Sequence, residues 1–367
     1  MLARSSRVGI SRVVAVAIVI VVIAIAAVGV YYYSTTTTTS SSKKVAKIAV
    51  LLVGEENDLS WNQAIYQAAV QTAKNLNASG TAVHIDVVTG LVTSTQIIPA
   101  MQQYAEQNYS LIIGGGVEDQ SPAFQVMPQY PNVGFVIAGG YGAASNEGNV
   151  LFRGDQSGFL MGVLAALESK SGTVAIIGGL DVSAIHWTTE GFLTGVTYAN
   201  DNFGKNVSVI NTFVGNFDDP AASKSAAATA VAQGADVLFC SGDGITEGVA
   251  AEAAQANVGF LYYEGNATSL APNVTYGGTS FAWTPAFQGA IADWLSNKTF
   301  GSVPRYASMQ NNGLIIGTSH LTSADNAKII STLQTNIVNG KVSVYNELAN
   351  GTLVFSPVTP AYSTLSG

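Results

Sequence analysis

Two hydrophobic patterns alternate along this chain from Lys47 onward. Short runs of consecutive apolar residues, such as KIAVLLV and TVAIIGG, have the length and the β-branched content of buried parallel strands. Between these runs apolar residues recur every three or four positions, as in the helix predicted from Trp61 to Asn77. A β-α-β-α order with roughly ten strands is better divided between two sheets than built into one. The pattern therefore predicts an α/β chain with two lobes.

The segment 205–265 shows the clearest unit of this kind. Two β-branched runs, 207–214 and 237–240, flank one amphipathic helix at 221–233, which is the arrangement of a parallel βαβ unit. Ligands of open α/β sheets bind beyond the carboxyl ends of the strands. Four polar residues follow predicted strands and lie at that edge: Asn216, Asp218, Asp243 and Glu264. Further strands are predicted at 83–88, from Leu111 and from Asn132, and further helices at 96–107, 157–168 and 190–199.

The N-terminal residues differ in composition from the rest of the chain. Positions 13–30 are all apolar or glycine, which is long enough for a membrane span. Arg4, Arg7 and Arg12 precede this segment, and no basic residue follows before Lys43. This asymmetry places the N-terminus in the cytoplasm and the bulk of the chain outside the cell. The Tyr-Tyr-Tyr-Ser sequence after the span lacks a small-residue cleavage site, which favours a retained anchor over a signal peptide.

These patterns divide the chain into a predicted anchor, a linker, two lobes and a tail. Residues 1–33 are the membrane anchor or signal segment, 34–45 the Ser/Thr-rich linker, and 346–367 the C-terminal tail. Lobe 1 is predicted at 46–150 with a return segment at about 272–305, and lobe 2 at 151–271 with a C-terminal segment at about 306–345. The first crossing between the lobes is predicted near 150–153, where a strand ends and a helix begins.

Composition and charge exclude several functions. The 367 residues are 48% hydrophobic and only 10% charged, against roughly 25% charged in typical soluble domains. A net charge of −8, without clusters of Lys and Arg, argues against nucleic acid as a partner. Cys240 is the only cysteine, so the chain has no internal disulfide, and we expect this residue in the core. His84, His186 and His320 lack metal-ligand spacing, so we expect neither a metal nor a cofactor.

Two glycine-rich segments lie next to acidic residues. Gly114-Gly115-Gly116 precedes Glu118 and Asp119, and it either allows close approach of a ligand or serves as a flexible turn. The segment 242–248, which begins Gly242-Asp243-Gly244, is one residue longer than the dinucleotide fingerprint and does not lie in the first βαβ unit. We therefore interpret it as a tight strand-to-helix turn at the cleft.

The order of several motifs resembles a known family. GEENDLSWNQAIYQAA, QSGFLMGVLAALESKSGTVAIIGGLD, EGFLTGV, FVGNFDDPAASKSAA, QGADVLFCSGDGITEGVAAEA and NNGLIIGTS look like the basic membrane protein (BMP) family, from Lys47 to about Val344. That family comprises nucleoside-binding components of ABC importers with the type I periplasmic-binding-protein fold. The resemblance implies two Rossmann-like lobes that are joined by three crossing strands and close around a ligand. The chain has no lipobox cysteine, so the N-terminal span would replace the lipid anchor.

The resemblance also implies ligand contacts. Asp58, Trp61 and Asn62 match a family motif of an aspartate, an aromatic residue and an asparagine. From the residues alone, Asp58 either caps the first helix or projects into the cleft, and Trp61 either packs in the core or stacks on a base. A second family aromatic falls at Thr188, beside Trp187. The family's late cleft aspartates fall at Glu264 and Asn266, and a family basic residue aligns near Phe281.

These observations predict an extracytoplasmic, membrane-anchored solute-binding protein. It would deliver a nucleoside, with a purine nucleoside favoured, to an ABC permease, and it would catalyse no covalent reaction. We expect a monomeric ectodomain, and several N-x-[S/T] sequons fit this location and glycosylation. The alternatives are a sugar or polyol receptor of the same class, a sensory ectodomain and, more distantly, an esterase that uses Ser280.

Overall fold

The computed structural model describes residues 45–58, 61–142, 144–296, 300, 304–344, 346–347, 353–354 and 362–365. The predicted anchor, and all of the predicted linker except its last residue, lie outside the described residues. No helix within the described ranges is long and apolar enough to cross a membrane.

The described residues alternate between strands and helices. The strands are β1 Ala46–Leu51, β2 Val83–Val88, β3 Leu111–Gly114, β4 Gly134–Ala138, β5 Glu147–Phe152, β6 Thr173–Gly178, β7 Ser208–Phe213, β8 Val237–Ser241, β9 Gly259–Tyr262, β10 Thr275–Phe281, β11 Arg305–Ala307, β12 Leu314–Thr318, β13 Asn346–Glu347 and β14 Leu353–Val354. The α-helices are α1 Trp61–Ala78, α2 Ser94–Glu106, α3 Gln120–Val126, α4 Gly154–Glu168, α5 Ser183–Phe203, α6 Pro220–Ala232, α7 Ile245–Ala256, α8 Thr284–Leu295, α9 Ala324–Val338 and α10 Tyr362–Leu365.

Two six-stranded sheets form the two lobes. The first has the order β11-β5-β4-β3-β1-β2 and the second β12-β10-β9-β8-β6-β7. Every pair in both sheets is parallel except β10 with β12, which is antiparallel. The strands are apolar runs because helices cover both faces of each sheet. The expectation of two α/β lobes with parallel sheets is confirmed.

The crossings between the lobes differ in detail from the sequence expectation. Residues 272–305 were expected to return to lobe 1, but β10 lies in the second sheet, where it pairs with β9 and β12. The chain returns to lobe 1 only after β10, since α8 packs against α1 and β5. Conversely, β11 extends to Ala307 and pairs with β5 in the first sheet, past the predicted boundary at 305. The chain then crosses again to reach β12.

Helices α4 and α5 pack against each other unusually closely. All residues of α4 from Gly154 to Leu167 are buried, since the helix contacts α5, α9 and strands of the second sheet. Glycines on both helices make this approach possible. A Cβ atom added at Gly158 would lie 2.0 Å from the carbonyl oxygen of Thr188, and one at Gly195 would lie 2.1 Å from that of Phe159.

Candidate ligand-binding cleft

A cavity of about 600 Å³, including its opening to solvent, lies between the carboxyl ends of the two sheets. The first lobe contributes Val53, Trp61, Asn62, Gly116, Val117, Glu118 and Gly139, the first crossing Phe152, and the second lobe Val182, Ile185, Phe217, Asp218, Asp243 and Glu264. Most of these residues lie in the segments between a strand and the next α-helix or strand, for instance Val53 after β1, Gly139 after β4 and Asp243 after β8. The cavity therefore occupies the edge at which ligands of open α/β sheets bind.

Aromatic rings form one side of the cavity. Trp61 lies edge-on to Phe152 and Trp283, with ring centroids 5.8 and 5.0 Å apart. Its indole N–H donates a hydrogen bond to the carbonyl of Gly115. Phe152 stacks on Phe281 at 4.7 Å. Trp61 thus packs against the core and also lines the cavity, so the two sequence interpretations of this residue do not exclude each other.

The carboxylate of Asp58 binds the first turn of α1. Its oxygens accept hydrogen bonds from the backbone N–H of Asn62 at 3.1 Å and of Gln63 at 3.0 Å. These N–H groups have no partner within the helix, so the carboxylate satisfies them and favours the helix N-terminus. Asp58 is not among the residues that line the cavity. The geometry is that of the helix cap, the first of the two alternatives for this residue.

Asp243 connects the two lobes. Its Oδ1 accepts a hydrogen bond from the Trp61 backbone N–H, and its Oδ2 accepts one from the Asn62 side-chain amide, both at 3.2 Å. The amide oxygen of Asn62 in turn accepts from the Gly54 N–H at 3.0 Å. Asp243 lies on the turn between β8 and α7, so a carboxylate of the second lobe binds the helix N-terminus of the first. This bond can form only when the lobes are close together.

We predict that Asp243→Asn opens the cleft and weakens ligand binding. The new amide N–H₂ would face the Asn62 amide N–H₂, and two donors cannot form a hydrogen bond. The variant would also lose the negative charge that binds the N-terminus of α1, and a charged hydrogen bond contributes about 1.5 to 3 kcal/mol. Spin labels on the two lobes, measured without ligand, should report a longer mean distance. Asp219→Asn is the control, because Asp219 caps α6 within one lobe by accepting from the Ala222 N–H. Equal distances in both variants would contradict the role of Asp243.

Three further carboxylates line the cavity. Glu264 is only 3% exposed and adopts a left-handed backbone conformation with φ 71°. Burial raises the pKa of Glu118, and the nearby charge of Asp218 raises it further. Burial also raises the pKa of Asp218, with an additional contribution from the charge of Asp58. The closed cleft therefore brings acidic groups of both lobes close together.

Asp119 lies beneath the glycine-rich turn and does not line the cavity. Its side chain is buried, and Oδ2 accepts a hydrogen bond from the Gly116 N–H at 3.0 Å. Among the described residues, none donates a hydrogen bond to its Oδ1. Burial raises the pKa of this carboxyl to about 7, and the charge of Glu118 adds to the increase. We infer that Asp119 holds the turn whose residues Gly116, Val117 and Glu118 reach the cavity.

The family model for "ABC transporter substrate-binding protein PnrA-like" matches residues 45–345 of this chain. The chain belongs to this family. The match includes every strand of both six-stranded sheets and the complete cavity lining. The resemblance to basic membrane proteins is confirmed, and the family is described as one of ABC-transporter substrate-binding proteins.

Several relatives are similar to this chain over different shares of their length. The chain is 25% identical to "Transcriptional activator protein med" of Bacillus subtilis, over 75% of this chain and 83% of that protein. It is 24% identical to "ABC transporter nucleoside-binding protein BmpA" of Lactococcus lactis, over 65% of this chain and 72% of that protein, and 24% identical to "Purine-binding protein BAB2_0673" of Brucella abortus, over 52% and 53%. Matches to uncharacterized lipoproteins of three Pyrococcus species span about half the length of those proteins.

Solved structures show the same fold. An ABC transporter solute-binding protein of Aeropyrum pernix superposes with a TM-score of 0.68 at 21% identity, over 82% of this chain and 93% of that chain. A structure described as a transcriptional activator of the comK gene, from Bacillus halodurans, gives the same TM-score at 18% identity, over 81% and 99%. At these identities the likeness concerns the fold alone.

The other residues expected at the site of this PnrA-like chain lie outside the cavity lining. Trp187 stacks on Tyr306 with ring centroids 6.2 Å apart, and the buried Thr188 hydroxyl lies 2.7 Å from the Tyr263 hydroxyl. The remaining three residues accept hydrogen bonds within their own turns. The Asn216 side chain accepts from the Asp218 N–H, and the Asn266 side chain accepts from the Thr268 N–H. The Gly242 carbonyl accepts from the Thr246 hydroxyl. Of the residues the expectation included, Trp61, Asn62, Glu118, Asp218, Asp243 and Glu264 line the cavity.

The expectation missed most of the apolar lining. Phe217 and Phe152 supply aromatic rings to the cavity, and Val182 and Ile185 supply the aliphatic part of the second lobe. Phe217 directly precedes Asp218 in the loop after β7. Its position after a predicted strand was the sequence feature that could have indicated its place in the cavity. Ser280 lies inside β10, not on the strand-to-helix turn that a hydrolase nucleophile needs. Within the described ranges, no group of three or more His, Cys, Asp or Glu residues is arranged to hold a metal ion.

Proposed function

We propose that this protein binds a nucleoside, with purine nucleosides favoured, in the cavity between its lobes and delivers it to the permease of an ABC importer. The observation that carries the proposal is the pairing of an aromatic ring, Trp61, with carboxylates in one cavity. Two PnrA-like relatives are named for binding nucleosides or purines, which supports the same ligand class.

The two kinds of lining residue suit the two halves of a nucleoside. An indole stacks on a flat heterocycle, and such stacking contributes about 1 to 3 kcal/mol per base. A carboxylate accepts hydrogen bonds from two vicinal hydroxyl groups, and Glu264 is the lining carboxylate that we assign to the ribose, since its side chain is buried. Hinge closure would trap the ligand and present a composite surface to the permease. None of these steps requires covalent chemistry.

A sugar or another polyol is the second candidate ligand. Carboxylates beside aromatic rings also suit a pyranose, because they accept from its hydroxyl groups and cover its apolar face. Phe152 and Phe217 add further ring surface to the cavity. The two candidates differ in the flat base, which only a nucleoside supplies.

We further propose that the chain functions outside the cytoplasm and is held at the membrane by its N-terminal segment. The support is the apolar sequence at 13–30 with arginines on one side only. Family membership implies an ABC permease as the partner. A monomer suffices, because the chain covers its own parallel sheets.

Calorimetric titration of the full-length protein in neutral detergent with adenosine, inosine, ribose and glucose tests the function. We expect a purine nucleoside to bind and Trp61→Ala to weaken its binding by about 1 to 3 kcal/mol, since the variant lacks the stacking surface. The melting temperature should fall as well, because Trp61 also packs against the core.

Trp294→Ala is the matched control for this experiment. Trp294 stacks on Phe300 and donates its indole N–H to the Ser110 carbonyl at 2.6 Å, so its loss also removes a partly buried tryptophan. It does not line the cavity. We expect this control to lose stability and to keep its affinity. Equal affinities of the two variants would contradict the role of Trp61, and binding of glucose without any nucleoside would favour the polyol.

A further inference from the structure

The charges that line the cavity are all of one sign. Glu118, Asp218, Asp243 and Glu264 contribute four carboxylates, and no Lys, Arg or His is found among the described lining residues. Two of the described basic residues bind carboxylates that do not line the cavity. Arg153 binds the buried Asp155 through two contacts of 2.8 Å, and Arg305 binds Asp293. Among the described lining residues, Glu118 and Asp218 therefore have no cation that could balance their charges.

Glu118 and Asp218 are the pair for which this imbalance matters most. They lie on opposite lobes and line the same cavity, and the pKa of Glu118 is raised by burial and further by the charge of Asp218. Asp243, by contrast, already accepts hydrogen bonds from Trp61 and Asn62. A neutral ligand would leave the Glu118 and Asp218 charges to repel each other in a partly desolvated space. A cationic ligand would attract both, so it would favour the closed form.

The aromatic lining is an independent observation that favours the same ligand charge. Trp61, Phe152 and Phe217 present rings to the same cavity. A positive charge within about 6 Å of an aromatic ring face is attracted by the ring quadrupole, most strongly when it is desolvated. The same rings stack on a heterocycle, so a heterocycle that is itself cationic would gain from both interactions.

We propose that, among nucleosides, the cavity selects those whose base carries a positive charge, and that Glu118 and Asp218 bind that charge from the two lobes. This inference rests on the proposed nucleoside-binding function and names the charge state of the ligand. It also predicts that phosphorylated nucleotides bind poorly, since their charge has the sign of the lining carboxylates.

Two pairs of isomeric nucleosides test the inference by calorimetric titration of the full-length protein at pH 7. In the first pair, 1-methyladenosine is cationic and N6-methyladenosine is neutral, and in the second, 3-methylcytidine is cationic and 5-methylcytidine is neutral. We expect the cationic isomer of each pair to bind at least about tenfold more tightly. The methyl groups occupy different positions in the two pairs, so a preference in both reflects charge and not shape.

The double variant Glu118→Gln with Asp218→Asn should bring the affinity ratio of each pair close to one. The control Asp201→Asn with Glu247→Gln removes the same charge from exposed positions outside the cavity and should keep the ratio. Nucleoside binding without preference for the cationic isomers would overturn the inference and leave the proposed function in place. An unchanged ratio in the double variant would overturn the assignment to Glu118 and Asp218. Absence of binding by every nucleoside would overturn the proposed function and the inference together.

Discussion

Gly158→Ala is expected to destabilise the protein by at least about 3 kcal/mol. A Cβ at this position would lie 2.0 Å from the Thr188 carbonyl oxygen and 2.8 Å from the Phe192 backbone nitrogen. Both atoms are backbone atoms of α5, so α4 and α5 would have to separate along their length. Inserting atoms into a tightly packed core typically costs about 1 to 3 kcal/mol, and this site has no flexible neighbour that could move aside. Chemical denaturation of both proteins measures the difference.

Gly289→Ala provides the matched control for this prediction. Gly289 also lies inside a helix, but an added Cβ would meet only the end of the Arg305 side chain, at 3.3 Å or more. Alanine is a better helix former than glycine, so this variant should equal the wild type or exceed it by up to about 1 kcal/mol. If Gly158→Ala were as stable as Gly289→Ala, the close packing of α4 on α5 would be wrong.

Asp119→Asn is expected to change how stability depends on pH. The folded pKa of Asp119 is about 7, against 3.8 for the unperturbed group. Between these values the folded protein holds a proton that the unfolded chain has lost. The free energy of unfolding therefore decreases as the pH rises from about 4 to 7, by an amount on the order of 4 kcal/mol. Asparagine does not ionise, so the free energy of unfolding of the variant should not decrease in this way. At pH 8 the variant should therefore be more stable than the wild type.

The difference between the two unfolding free energies, measured by denaturation from pH 4 to 8, isolates Asp119 from the other carboxyl groups. The difference should grow in favour of the variant across this range and level off above about pH 7. Two parallel curves would show that Asp119 does not carry the raised pKa. Ligand affinity is a second measure of the role of Asp119, because this carboxylate accepts a hydrogen bond from the Gly116 N–H and Gly116 lines the cavity.

The periodicity of the sequence predicted the strands and helices well, but it could not predict every strand partner. β10 was expected to lie in a segment that returns to lobe 1, but it pairs with β9 and β12 in the second sheet. Its position depends on close contacts that form only in the folded chain. Gly277 and Gly278 leave room for the Gly317 carbonyl and the Tyr262 ring, at distances of 2.2 and 2.3 Å from an added Cβ. Such long-range contacts have no local pattern.

The residues of the candidate site were likewise predicted only in part from the sequence. The strand-end rule pointed to Asn216, Asp218, Asp243 and Glu264, of which the last three line the cavity. Glu118 was predicted from the glycine-rich segment that precedes it. The apolar lining was missed, because residues such as Phe217 have the same local pattern as residues of the core. The sequence also left open whether Asp58 caps its helix or projects into the cleft, and it did not predict that Asp243 binds the helix of the other lobe. A carboxylate beside a helix N-terminus looks alike in sequence whether it caps its own helix or, as Asp243 does, reaches the helix of the other lobe.

The affinity of the full-length protein for a ribonucleoside and for its 2′,3′-dideoxy analogue, compared by calorimetric titration, tests the central claim most directly. Glu264 is buried in the cavity, and removal of the hydroxyl groups would leave its charge without these partners, at a cost of about 1.5 to 3 kcal/mol. We predict that adenosine binds at least about tenfold more tightly than 2′,3′-dideoxyadenosine, and that Glu264→Gln reduces this ratio. Equal affinities would remove Glu264 from the ribose site, and failure of adenosine to bind at millimolar concentration would contradict nucleoside binding in this cavity.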